Sequence, residues 1–247
     1  AIGLIQSLKR IEQYSYLGKV YLIAIAIPCI LFITGLITVH FQQNIDFFPN
    51  IVLADDFKDP SKKWNKDALV SIKNGGLFHP EIKNNNFKLS IWGDKNQRFK
   101  DLDFSVDIKK VNGTDDSGFG IVARTSNTSK SSVKHNFYYL LIKGNGEFSM
   151  GKLIDSNKWE DKVGWQHSTS INQGNNINRL RIVCNVKKVI GWINSQRVGI
   201  FEDDSYASGK IGVISLRGKD DGAAVYFDNV IFKTKPDIEY PTSQNLQ

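Results

Sequence analysis

Apolar and polar residues follow two different periods along this chain. Residues 20–39 form one continuous apolar run without a charged side chain. Because ~20 helical residues span the ~30 Å hydrocarbon core of a bilayer, this run predicts a transmembrane helix. From Ile51 onward the period changes to two, and between Leu102 and Ile108 every second residue is apolar. Such alternation predicts strands with one buried face.

Short strand-like runs continue through the second part of the chain. A second alternating run extends from Leu180 to Val186, and Asn-Gly and Gly-rich turns separate the runs. The further strand-like runs are FKLSIW, GFGIVAR, NFYYLLIKG, FSMGKLI, KVIGWIN, KIGVISL and AVYFDNVIF. Roughly a dozen short strands without a long helix predict an all-β, two-sheet jelly-roll sandwich, preceded here by the single transmembrane helix.

These patterns divide the chain into five segments. We predict a cytoplasmic N-terminal segment at 1–19, the transmembrane helix at 20–39, a linker at 40–50, an exported β-sandwich at 51–233 and a tail at 234–247.

The orientation in the membrane follows from basic residues on one side of the apolar run. Lys9, Arg10 and Lys19 precede the run, whereas the first dozen residues after it contain no Lys or Arg. The positive-inside rule therefore predicts a cytoplasmic N-terminus and an exported C-terminal domain.

Overall composition excludes several classes of function. The 247 residues carry a net charge of +7 without a Lys/Arg-rich tract, so we expect no nucleic-acid partner. The two cysteines cannot build a disulfide framework or a four-ligand zinc site. Cys184 stands among apolar neighbours, which predicts a buried thiol.

Several sequence pieces resemble a known family when they are taken in order. They are the opening Asp55-Asp56-Phe57, the run from Ser117 to Arg124, Asn178 to Ile182, Trp192 to Val198 and Val225 to Val230. The ordered set resembles the concanavalin A-like lectin/glucanase superfamily, especially its laminin-G-like and 3-keto-disaccharide hydrolase-like branch, here anchored to a membrane. The resemblance implies a jelly-roll sandwich and does not fix a function.

Glucanases of this fold carry an alternating Glu-x-Asp-x-x-Glu string, which places the catalytic carboxylates on one face of a strand. This chain lacks such a string. Its nearest approach is Asp101, Asp103 and Asp107, which share a face without a Glu and are typical of a solvated sheet surface. An enzyme is therefore the less favoured interpretation.

Two groups of residues are candidates for binding. The aromatic residues Trp92, Tyr138, Trp159, Trp165 and Trp192 are candidates for stacking on sugar rings, although large aromatic residues also fill cores.

Acidic, Gly- and Asn-rich loops supply the second group, Asp115, Asp116, Asp203 and Asp204. Their oxygens are candidate calcium ligands, and the alternative is that they are solvated turn residues. We expect no other cofactor.

Two non-catalytic functions compete at this stage. Thr34 and Thr38 lie one turn apart in the apolar run, where hydroxyl residues permit close packing of helices. They favour a scaffolding or accessory subunit of a membrane complex, with the lipid bilayer and other membrane-protein subunits as partners. The alternative is a tethered carbohydrate- or cell-wall-binding, lectin-like module with glycans as partners. A glycan-processing hydrolase is the second alternative.

Overall fold

The computed structural model describes residues 51–59, 64–65, 70–83, 86–94, 96–127, 134–219 and 221–234. The predicted segments at 1–19, 20–39 and 40–50, including Thr34 and Thr38, lie outside these residues, as does nearly all of the tail. Within the described part of the chain, no helix is long and apolar enough to cross a membrane.

The described residues form fifteen strands, numbered in chain order. They are β1 (Ile51–Asp55), β2 (Trp64–Asn65), β3 (Ser71–Lys73), β4 (Gly76–His79), β5 (Phe87–Trp92), β6 (Leu102–Asn112), β7 (Gly118–Asn127), β8 (His135–Lys143), β9 (Glu147–Ile154), β10 (Lys158–His167), β11 (Ile177–Asn185), β12 (Lys188–Ile193), β13 (Gln196–Glu202), β14 (Lys210–Leu216) and β15 (Ala224–Lys233).

The strands form two antiparallel sheets packed face to face. One sheet has eight strands in the order β13-β12-β11-β6-β15-β4-β3, with β1 pairing the second half of β15. The other has seven strands in the order β10-β9-β8-β7-β14-β5-β2. The predicted all-β, jelly-roll-like sandwich is confirmed.

The core between the sheets follows the predicted alternation. Leu102, Phe104, Val106 and Ile108 on β6 are each at most 1% exposed. The run that begins at Leu180 ends earlier than predicted. β11 stops at Asn185, and Val186 lies in the following turn with a φ of 51° and 74% exposure.

One histidine joins the two sheets inside this core. His79 on β4 contacts Ser215 Oγ on β14 at 3.0 Å and Ser90 Oγ on β5 at 2.9 Å. Burial, with a further contribution from the charge of Lys88, lowers the pKa of His79 to about 3. The imidazole is therefore neutral at physiological pH.

Candidate functional site

The seven-stranded sheet carries a second apolar cluster on its outer face, turned away from the eight-stranded sheet. It consists of six almost fully buried residues, Val122, Phe137, Tyr139, Leu141, Leu153 and Ile214. The rings of Phe87 on β5 and Trp159 on β10 lie only 6.3 Å apart. In a flat sheet these strands would be ~24 Å apart. The sheet therefore curls, and its outer face is concave.

Trp159 is an aromatic platform that its neighbours hold in place. Its ring meets those of Phe87, Phe137 and Tyr139 in T-shaped contacts with centroids 5.2–6.3 Å apart. Such edge-to-face pairs are worth ~0.5–1.5 kcal/mol each beyond their buried area. Trp159 nevertheless stays 37% exposed. Its indole is thus fixed before any ligand arrives.

Trp165, further along β10, lies on the same concave face. A Cβ at Gly118 on β7 would lie 3.3 Å from its Cη2 atom, so the absence of a side chain there lets the indole reach across β9 and β8. The Lys143 ammonium stands 4.3 Å from the ring centroid. Trp165 remains 36% exposed.

A carboxylate with two hydroxyl partners accompanies these tryptophans. Asp161 on β10 accepts hydrogen bonds from the Tyr139 phenol and from Ser149 Oγ, the latter at 3.1 Å. Burial and the bond to Asp161 raise the pKa of Tyr139, so the phenol keeps its proton and donates. A Cβ at Gly151 would lie 2.7 Å from the Tyr139 hydroxyl, which explains the glycine.

A second polar group surrounds Lys143 at the other end of the concave face. Lys143 Nζ lies 2.8 Å from Glu147 and 3.2 Å from Asp116. Burial acts to lower the pKa of Lys143, but the bonds to Glu147 and Asp116 outweigh it and raise that pKa. Hydrogen bonds from Lys143 and Asn145 lower the pKa of Glu147. Both groups are charged at neutral pH.

Beside Trp159 the concave face opens into a cavity of about 410 Å³. Asn86, Leu216, Arg217 and Lys219 line it together with the indole. The cavity combines an aromatic surface with amide and cationic donors, a composition typical of sites for polar, hydroxyl-bearing ligands.

Glu147 and Asp161 are too far apart along the sheet for two-carboxylate glycoside hydrolysis, and the closer pair on this face, Glu147 and Asp116, shares the Lys143 ammonium. Glu147 pairs with His167, and Asp161 pairs with Gly151, four residues further along β9. At ~3.3 Å per residue, these two backbone positions are ~13 Å apart along the sheet. Two-carboxylate glycosidases require ~5–9.5 Å.

The aspartates of β6 lie on the outer face of the opposite, eight-stranded sheet. Asp103 accepts two hydrogen bonds of 2.8 Å from Arg181, and Asp107 pairs with Arg179 at 3.0 Å. Asp103 is only 4% exposed, so it is a buried, paired carboxylate and not the solvated one that the sequence predicts.

The five predicted sugar-stacking residues occupy three different environments. Trp159 and Trp165 share the concave face. Trp92 and Tyr138 lie in the core between the sheets, where Trp92 packs on Phe232. Neither ring has an open face, so these two assignments are corrected. Trp192 is half-buried on the outer face of the eight-stranded sheet, under the Arg181 guanidinium.

The predicted calcium ligands are not brought together. Asp116 pairs with Lys143 and Asp203 with Tyr138, five residues apart on β8, which corresponds to ~16 Å. Asp115 pairs with Lys110, and Asp204 is exposed. Among the described residues, no group of three or more His, Cys, Asp or Glu side chains could hold a metal ion.

Sequence reasoning alone does not identify Asp161, Ser149 or Lys143 as members of this site. The signal that the sequence does contain is the odd or even position of each residue along its strand, which decides the face it shares with others. Residues on the same face of neighbouring strands meet only once the register of those strands is known. That register comes from the sheet, not from any one strand.

Residues 48–233 match the model of the 3-keto-alpha-glucoside-1,2-lyase-like domain family. The chain belongs to this family. The resemblance to 3-keto-disaccharide hydrolase-like domains is thereby confirmed. A search of curated proteins gave no significant match.

Solved structures share the fold of this lyase-like domain at low sequence identity. The carbohydrate-binding module CBM66 from Bacillus subtilis is 12% identical, with a TM-score of 0.55 and coverage of 70% of this chain and 97% of the module. A β-glucanase from Bacillus licheniformis is 10% identical, with a TM-score of 0.54 and coverage of 76% and 99%. A Bacteroides ovatus mixed-linkage glucan GH16 protein in complex with a G4G4G3G product is 13% identical, with a TM-score of 0.54 and coverage of 74% and 100%.

These comparisons overturn one prediction. The favoured function, a non-catalytic scaffolding subunit of a membrane complex, is wrong, because the family and the matching folds belong to carbohydrate-binding and carbohydrate-processing proteins. The sequence patterns behind that prediction, the helical spacing of apolar residues at 1–18 and the pair Thr34 and Thr38, precede the sandwich in the chain and carry no information about it.

Proposed function

We propose that the domain binds glycan chains along the concave face of its seven-stranded sheet. The observation that carries the proposal is the pair of tryptophans, Trp159 and Trp165, held by neighbours on one face with more than a third of each side chain exposed. Indole faces stack on the apolar faces of sugar rings, and Asn86, Asp161 and Lys219 supply hydrogen-bonding groups beside them.

Membership of the lyase-like family and the shared fold of CBM66 and the two glucan-acting proteins support a carbohydrate ligand. Two observations favour binding over two-carboxylate hydrolysis: the backbone positions of Glu147 and Asp161 are ~13 Å apart, and Glu147 and Asp116 are both ion-paired with Lys143.

Asp161 favours one second candidate, elimination on a 3-keto-glucoside. Such a reaction removes the proton on the carbon beside the ketone and then releases the group on the anomeric carbon. Asp161 is an exposed carboxylate two residues from Trp159, and Tyr139 and Ser149 orient it. It is therefore placed to accept that proton as a general base.

One set of variants tests both candidates. On an array of neutral and acidic oligosaccharides, Trp159→Ala and Trp165→Ala should each weaken binding of at least one glycan about tenfold or more. Trp192→Ala, on the opposite sheet, is the matched control and should bind as wild type does. If Trp159→Ala and Trp165→Ala both bind every glycan normally, the concave face is not the site.

The same proteins incubated with 3-keto-glucosides distinguish binding from elimination. The second candidate would be established if the wild type releases the aglycone and Asp161→Asn binds glycans but does not release it. No release from wild type would leave binding as the function.

We also propose that the domain is tethered to a membrane and displayed on its exported side. The uncharged run at 20–39, with basic residues only on its N-terminal side, supports this arrangement. In this arrangement the lipid bilayer is a partner of the apolar run at 20–39.

A further inference from the structure

A groove crosses the outer face of the eight-stranded sheet, on the opposite side of the sandwich from the concave face. It consists of two adjoining cavities of about 270 and 560 Å³, which share Lys109 and Ile177 as lining residues. Lys109 on β6 pairs in register with Ile177 on β11 and with Tyr226 on β15. The groove therefore runs across three strands.

Tyr226 provides an aromatic surface at one end of the groove. Its ring lies over Gly76 on β4, where a Cβ would be 3.1 Å from ring atom Cδ1. It packs on Phe78 at 4.8 Å, and its hydroxyl accepts a hydrogen bond from the Asn74 amide at 3.1 Å. The tyrosine is half-buried and held on two sides, like Trp159 on the other sheet.

Two carboxylates stand next to this ring. Asp107 and Asp228 are direct cross-strand partners on β6 and β15, an arrangement in which like charges repel. Burial raises the pKa of Asp228, and the charges of Asp107 and Asp56 raise it further. Asp107 already bonds to Arg179 and Asn229, so a ligand that donates a hydrogen bond to Asp228 would reduce the remaining repulsion.

Asn229 completes this end of the groove. It lies in a bulge of β15 with a φ of 49°, and its amide donates to Asp107 Oδ2 at 2.9 Å. Asparagine tolerates this backbone conformation better than most residues, and the bulge places its amide on Asp107.

The other end of the groove is rich in amides. Asn172, Asn175 and Asn176 line it, and Ile177 is 56% exposed between them and Lys109. Amide side chains donate and accept hydrogen bonds, as sugar hydroxyls do. The charge balance is near neutral, because Arg179 pairs with Asp107 and the lining contains one further cation, Lys109, and one further anion, Asp228.

We propose that this groove is a second, independent binding site for a neutral oligosaccharide chain. An aromatic ring, paired carboxylates, amides and an exposed apolar side chain match the hydroxyls and the apolar faces of sugar rings, whereas the balanced charge offers no net attraction to an ionic ligand. With one site on each sheet, a single domain can hold two glycan chains, or two parts of one chain, with the gain in avidity that linkage brings.

The test is glycan-array binding followed by titration calorimetry of the full chain in detergent micelles, with the best neutral oligosaccharide as the probe. Tyr226→Ala should lose one of two binding events and leave the event that depends on Trp159. The Tyr226→Ala/Trp159→Ala double variant should lose both.

A second variant guards against misfolding. Ile177→Arg places a large charged side chain in the groove at an exposed position, and Ile200→Arg, at a position 48% exposed on β13, is its matched control. Ile177→Arg should weaken the second event about tenfold or more, and Ile200→Arg should leave it unchanged.

The outcomes separate this proposal from the function proposed for the concave face. Wild-type stoichiometry and affinity in both Tyr226→Ala and Ile177→Arg would overturn the second site and leave the concave site standing. If Tyr226→Ala loses all binding and Trp159→Ala loses no binding, the concave site is overturned and the second site stands. A wild-type protein that binds no neutral glycan overturns the second site outright.

Discussion

A buried ion pair joins the two sheets near their open edge and gives a sharp prediction. Lys152 Nζ on β9 lies 2.7 Å from Asp203 Oδ2 in the segment after β13, and the two side chains are 10% and 7% exposed. Tyr138 donates a 2.8 Å hydrogen bond to Asp203, and the Ser205 amide donates another of 2.9 Å. Lys152 is the nearest positive charge to this aspartate.

Lys152→Met removes the charge and keeps the volume of the side chain. Breaking a buried pair by removing one partner costs ~3–5 kcal/mol, because a buried charge is left uncompensated. Lys162 lies 3.6 Å from Asp203 and offsets part of that cost, so we expect about 3 kcal/mol. With an m-value of about 2 kcal/mol/M, the urea midpoint should fall by about 1.5 M.

The effect should depend on pH in one direction. Burial acts to raise the pKa of Asp203, but hydrogen bonds from Lys152, Ser205 and Tyr138 hold it well below its usual value of 3.8. A carboxylate with a depressed folded-state pKa contributes its stability above the unfolded pKa and loses it as pH falls through the folded value. The difference between wild type and Lys152→Met should therefore shrink below about pH 4.

Urea unfolding followed by tryptophan fluorescence at about pH 7 and about pH 3 measures both effects. Lys187→Met is the control, because Lys187 forms an equally short pair with Glu202 at 2.8 Å but both side chains are about half exposed. Solvent screens such pairs, so its midpoint should stay near that of wild type. The reasoning is refuted if Lys152→Met and Lys187→Met shift the midpoint equally, or if the shift at acid pH is undiminished.

Two further predictions concern the core and the membrane run. Because the pKa of His79 is about 3 in the folded state and 6.5 in model compounds, the unfolded state takes up a proton first as pH falls. The free energy of unfolding should then drop by up to ~1.4 kcal/mol per pH unit between these two pH values. In urea titrations, His79→Gln should flatten this slope, whereas His167→Gln, at an exposed position, should not. If the two variants have the same slope, His79 is not the group responsible. Protease added to sealed vesicles with the exported face outward should cut after His40, and cleavage confined to residues 1–19 would show the opposite orientation.

The sequence determines the sandwich because alternating apolar runs separated by turn residues predict a series of short strands. The alternation from Leu102 to Ile108 becomes β6, and FKLSIW and KIGVISL become β5 and β14 with the predicted bounds. Asn74 and Asn194, in predicted turns, adopt positive φ angles of 52° and 47°, which asparagine tolerates better than most residues.

For β8 and β10, the sequence pattern does not predict which way the side chains face or that a strand forms. All of β8 between its two end residues is buried, because its odd residues face the concave cluster while its even residues face the core. A strand buried on both sides has no polar alternation, so the sequence cannot tell that Tyr138 points inward and Tyr139 outward. β10 is an exposed edge strand with two irregularities in its pairing, and its pattern predicts no strand.

The candidate site depends on these two strands. The sequence determined that large aromatic residues were available for stacking, but only the tertiary structure decided that Trp159 and Trp165 face a common surface while Trp92 is enclosed. The physical reason is that a local pattern shows which residues of one strand share a face, but not what that face meets. The curl of the sheet and the cross-strand register bring Asp161, Lys143 and the two indoles together, and both arise from contacts between strands distant in the chain.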